Sequence, residues 1–150
     1  MKVGLAIYAS REVNSDTIND LSNELEIQFK DLVYGEGVYN LYTGIICVSK
    51  DFEPFFKPRK PKYTKNKKEN EIDGIKYTTE KSFEFDCKID FNTYQELDDV
   101  GKKSLIASDL LKTTKEVFKK KKIKDFKEEE FIEDLENFFK EQGYLENTLT

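Results

Sequence analysis

The clearest periodicity in the chain lies at residues 82–91, SFEFDCKIDF. There Phe83, Phe85, Cys87, Ile89 and Phe91 alternate with Glu84, Asp86, Lys88 and Asp90. Strict period two predicts a β-strand with one face in the core and one in water. Residues 2–8 predict another strand, with Val3, Leu5 and Ile7 alternating with Gly4 and Ala6. Residues 38–49 are apolar on both parities, which fits a central strand covered on both sides. Residues 72–80 predict a strand through Ile75, Tyr77 and Thr79.

The helical spacings are equally plain. Ile18, Leu21, Leu25, Phe29 and Leu32 follow steps of three and four across residues 14–32, with Asp20, Glu24 and Glu26 off the stripe. Asn14 or Ser15 is placed to cap this helix, and Asp16 suits the positive end of its dipole. Two more helices are predicted over 93–119, with Gly101 a candidate break, and over 126–142, with Gly143 a natural stop. Residues 144–150 are expected to fray.

The order β-α-β-β-β-α-α predicts an α+β fold. Strands joined in sequence favour an antiparallel sheet of about four, with three helices packed on one face and the other face open to water. At 150 residues, 1–150 is read as a single domain. Residues 51–70 interrupt it as a loop. Pro54, Pro58 and Pro61 oppose regular structure there, and seven Lys or Arg with no acid fall between Lys57 and Lys68.

Composition narrows the chemistry. The chain has no histidine, which removes the commonest general base and metal ligand and leaves no Ser–His or Cys–His pair. Its two cysteines, Cys47 and Cys87, are too few and too far apart for a zinc site and read as small buried hydrophobes. Gly35-Glu36-Gly37 lacks the later residues of a phosphate loop and reads as a turn. No catalytic residue, metal or cofactor is expected. The apolar run at the N-terminus is too short for a signal or membrane segment, so a cytoplasmic protein is expected.

Charge points to a protein partner. The net charge is −5, with a basic 51–70 followed by an acidic 71–100. Glu84, Asp86 and Asp90, with Glu80, would place several acids on one side of the sheet, and Tyr77 is a candidate aromatic neighbour. Such a surface suits capture of a basic protein. Two alternatives compete with it. The 57–68 loop would serve a nucleic-acid module, although it holds one aromatic, Tyr63, where stacking platforms use several. Glu84 and Asp86, roughly 7 Å apart on one strand face, would serve a carboxylate enzyme.

Four segments also carry a family resemblance. They are the first strand with its helix, the turn Tyr34-Gly35-Glu36-Gly37-Val38 with the apolar strand it opens, the strand ending Lys88-Ile89-Asp90-Phe91, and the helix bearing Leu110-Leu111. In these, spanning about residues 2–118, the sequence resembles the immunity protein 44 family of bacterial polymorphic toxin systems. The resemblance implies a protein that binds a cognate toxin domain and shields its active site. It transfers no catalytic residue, and the basic loop looks longer than the family pattern.

Overall fold

The computed structural model describes residues 2–9, 16–32, 34–35, 38–48, 62–64, 69–72, 75–78, 81–120, 122 and 126–146. Strand β1 (Lys2–Ala9) leads through helix α1 (Asp16–Phe29) into strand β2 (Val38–Val48). β1 and β2 are parallel, in register from Lys2 opposite Val38 to Ala9 opposite Ile45. A helix between two strands carries the chain back to the end it started from, so the strands it joins run the same way. α1 packs against β1.

β2 is the centre of the sheet. On its far side it pairs, again in parallel, with β6 (Lys81–Asp90), and the short β3 (Lys62–Thr64) closes that side antiparallel to β6. The sheet order is β1-β2-β6-β3. The expected antiparallel sheet is therefore corrected to a mixed one with three parallel strands and a single antiparallel edge. The apolar run of β2 on both parities is the usual mark of a central parallel strand. The strand expected over 72–80 is also corrected. β4 (Glu69–Ile72) and β5 (Ile75–Thr78) form a separate antiparallel hairpin that is not part of the main sheet.

Three helices follow β6: α2 (Phe91–Glu96), α3 (Asp99–Lys120) and α4 (Glu128–Glu141). The predicted 93–119 helix thus divides, but at Leu97–Asp98 instead of Gly101. Asp98 caps the N-terminus of α3 by accepting a hydrogen bond from the Gly101 N–H at 2.7 Å. α3 packs on β6 and α1, and α4 packs on α3. Ile7, Phe85, Cys87 and Ile89 from the sheet share one core with Ile18, Leu21, Leu25 and Phe29 of α1 and Ile106 and Leu110 of α3. Cys87 is fully buried, as expected of a small hydrophobe, with its Sγ 3.4 Å from Thr113 Oγ1. The side chain of Cys47 lies outside the described set.

An aromatic seam joins α4 to this core. Phe131 sits at its hub, with ring centroids 5.4 Å from Phe29, 5.4 Å from Tyr34, 5.7 Å from Phe126 and 6.1 Å from Phe118. Offset and edge-on arrangements at these separations add to the area that the rings bury. Tyr34 anchors the turn after α1. It is wholly buried, its hydroxyl donates to Asp134 Oδ2 at 2.6 Å, and its carbonyl accepts from the Lys127 N–H at 2.9 Å. Gly35, next to it, has φ 125° and bridges to Phe126. A side chain would strain that backbone, so the Tyr-Gly pair is a local requirement of the fold.

α4 ends as the sequence predicts. Gly143 adopts φ 80°, its N–H reaches the Lys140 carbonyl, and the Tyr144 N–H reaches that of Phe139 at 2.9 Å. This pair of bonds is the Schellman closure of a helix. It turns the chain back on itself, and the fraying expected from residue 144 is corrected: Tyr144 is buried and Leu145 packs on the core. Residues 147–150 lie outside the described set.

Candidate partner-binding surface

The sheet residues picked out by their charge end up in different settings. On β6, Phe85, Cys87 and Ile89 are buried while Lys88 and Asp90 are exposed, as strict alternation predicts. Asp86 breaks the pattern. It faces away from the helices yet is 7% exposed. Its register partner on β2 is Gly44. The expectation of a sheet face open to water thus fails at Asp86, while Lys88 and Asp90 farther along β6 are exposed. Asp90 is exposed but carries a local task. Its Oδ1 accepts from the Asn92 and Thr93 N–H groups at 3.0 and 3.3 Å, capping α2.

Glu84 lies opposite Tyr42 on β2 and Lys62 on β3. Tyr77 is placed on the β4–β5 hairpin, opposite Asn70. Glu80 lies outside the described residues, as does most of the 57–68 loop, of which Lys62–Thr64 form β3. The strand assignment thus unites Glu84, Asp86 and Asp90 on β6, and it separates Tyr77 from them.

A second polar region is built by the helices. Thr17 Oγ1 on α1 donates to Asp99 Oδ1 on α3 at 2.9 Å. Lys103 Nζ lies 3.7 Å from Asp99 Oδ2 and 3.6 Å from Glu24 Oε2. The Tyr144 hydroxyl donates to Glu24 at 2.8 Å, and the Lys103 ammonium sits 5.8 Å from the Tyr144 ring centroid. Burial alone would lower the affinity of Lys103 for its proton, but Glu24, Tyr144 and Asp99 outweigh it and hold the pKa above the usual lysine value. Burial and the Glu24 carboxylate likewise push the Tyr144 phenol up. This seam fixes α1 beside the start of α3.

Outside the seam, α1 presents an acidic ridge to solvent. Asp16, Asp20, Asn23 and Ile27 follow steps of four and three and are all exposed. Ile27 is 70% exposed. Val100, beside Asp99 at the start of α3, is 57% exposed. Among the described residues these are the two exposed large hydrophobics, and both lie on the helices that the seam brings together. Sequence reasoning had a signal for Ile27: it is an apolar residue off the Ile18–Leu21–Leu25–Phe29 stripe. It had none for the seam, whose partners are up to 120 positions apart.

Acids also crowd α4, but three of them, Glu128, Glu129 and Glu130, fall in its first turn, where the helix dipole favours them. A shallow depression of about 480 Å³ beside that turn is lined by Lys122, Phe126, Lys127 and the same three glutamates. Among the described residues no group of His, Cys, Asp or Glu is arranged to hold a metal ion, and no helix is long and apolar enough to cross a membrane.

Comparison with known proteins adds one match. The sequence model of immunity protein 44 matches residues 1–141 of the 150-residue chain. The match takes in the aromatic seam and α4, well beyond the segments that carried the resemblance. No curated protein and no solved structure matches the chain.

Proposed function

This chain belongs to the immunity protein 44 family, whose members are the immunity proteins of polymorphic toxin systems, and from that premise we propose that it binds its cognate toxin domain and neutralises it by covering the toxin's active site. The observation that carries this reading is the family match over residues 1–141. The family implies a toxin partner and is generally non-enzymatic. The surface chemistry supports occlusion. Exposed acids on a chain of net charge −5 attract a cationic partner and raise its rate of encounter. A domain of this size supplies the roughly 800 Å² per partner that a standard interface buries. Binding in the cytoplasm of the producing cell would protect that cell from its own toxin.

Glu84 and Asp90 remain proposed contacts at the edge of such an interface, since Asp90 is exposed and Glu84 lies on the same strand. The test is co-expression with the toxin domain encoded beside this chain's gene. Survival of the host together with co-purification of the two proteins is expected. Killing of the host with no complex recovered would reject the reading.

A further inference from the structure

We propose that the docking face for the toxin is the outward ridge of α1, Asp16, Asp20 and Ile27, continued by Asp98 and Val100 at the start of α3, and that its occupant is a cationic protein surface with an apolar recess. The inference rests on the immunity reading and adds to it the place and the chemistry of contact.

Three observations select this face. First, the exposed large apolar side chains among the described residues are Ile27 on α1 and Val100 on α3. A lone exposed apolar residue is commonplace. Here the two flank a seam that holds their helices side by side, Thr17 to Asp99 and Glu24 to Lys103. Second, the Lys103 cation between the two helices is turned inward. Its side chain is 13% exposed and is engaged by Glu24 and Asp99, so it presents no charge to the face that carries the exposed Asp16, Asp20 and Asp98. Third, the competing surfaces are less suited. Asp86 is buried on the sheet, and α4 shows acids with no exposed large hydrophobic among its described residues.

Charge identifies the occupant. A phosphate-bearing nucleic acid or an anionic membrane would be repelled by Asp16, Asp20 and Asp98. A second copy using the same face would set those carboxylates against each other, and like charges across an interface are costly. A cationic protein meets opposite charge at the rim, and its recess takes the Ile27 side chain from water. An apolar anchor ringed by polar contacts is the usual arrangement of a binding hot spot.

The test is titration of the purified neighbouring toxin domain against wild type, Ile27→Ala, Asp20→Lys and the α4 control Glu129→Lys, at low and high salt. Ile27→Ala is expected to raise Kd about tenfold or more. Asp20→Lys should slow association about tenfold at low salt and flatten the salt dependence. Glu129→Lys should stay within about twofold of wild type. Tight wild-type binding with Ile27→Ala and Asp20→Lys both unchanged would overturn the face and leave the immunity role intact. A larger loss in Glu129→Lys would do the same. Wild type that neither binds nor protects would overturn both. Circular dichroism checks folding, and if Asp20→Lys fails to fold, Ile27→Ala alone decides. Wild type that self-associates in sedimentation, with the association lost in Ile27→Ala, would assign the face to a second copy and overturn the proposal.

Discussion

Two seams hold the helices together, and they are built from opposite materials. Beneath α4, the rings of Phe29, Tyr34, Phe118, Phe126 and Phe131 meet with almost no water-accessible surface. Between α1 and α3, Thr17, Glu24, Asp99, Lys103 and Tyr144 meet through hydrogen bonds and ion pairs of 2.8–3.7 Å at the edge of the core, with Thr17 and Tyr144 buried and the Glu24 and Asp99 carboxylates still reaching water. Burial of apolar area stabilises in proportion to the area removed from water, and a ring taken from a packed seam leaves a cavity. Surface ion pairs contribute about 0–1 kcal/mol each. The aromatic seam therefore carries the stability. The polar seam orients two helices at little energetic gain.

Substitutions sharpen this contrast, and the largest effect is expected at the hub. Phe131→Ala should destabilise by about 3–5 kcal/mol in urea unfolding, since Phe131 is 1% exposed and touches four other rings. A loss below about 1 kcal/mol would mean that the rings do not form the principal core. Tyr34→Phe keeps the ring but deprives Asp134 of its 2.6 Å donor, and a loss of about 1–3 kcal/mol is expected by the same measurement.

The polar seam should respond to alkali. Tyr144 and Lys103 both have folded pKa values raised above 10.0 and 10.5. A raised folded pKa contributes stability that is complete below the unfolded value and is lost as pH rises through the folded one. Melting temperature should therefore fall faster above about pH 10 in wild type than in Tyr144→Phe/Lys103→Met. Equal slopes would show that the two groups do not couple to folding. Smallest of all, Ile27→Ala should change stability by less than about 0.5 kcal/mol, because its side chain is already in water. A larger loss would place Ile27 in the architecture and remove it from the contact face.

The sequence made some of this legible. The α1 and α4 stripes and the Gly143 stop appear where the periodicity puts them, because helix faces and caps are local. The sheet was readable in part. β2's two-sided apolarity and the helix between β1 and β2 are both features of parallel pairing, whereas adjacency in sequence favours antiparallel neighbours, and the segment next in sequence folds on itself as β4–β5. Asp86 was hidden because strict alternation assigns a side chain to a face without saying whether that face is covered. Tyr34 with Asp134, and Glu24 with Tyr144, pair across 100 and 120 positions, and nothing local announces them. The proposed docking ridge is half visible: Asp20 and Ile27 stand off the apolar stripe of α1, but nothing local places Val100 of α3 beside them.

Hydrogen exchange on the toxin-bound chain tests the central claim most directly. The account predicts that amides in residues 16–31 and 98–102 exchange more slowly in the complex than in the free protein, while those of β4, β5 and α4 keep their free rates. Slowing confined to β6 and the β4–β5 hairpin, with α1 unchanged, would contradict it.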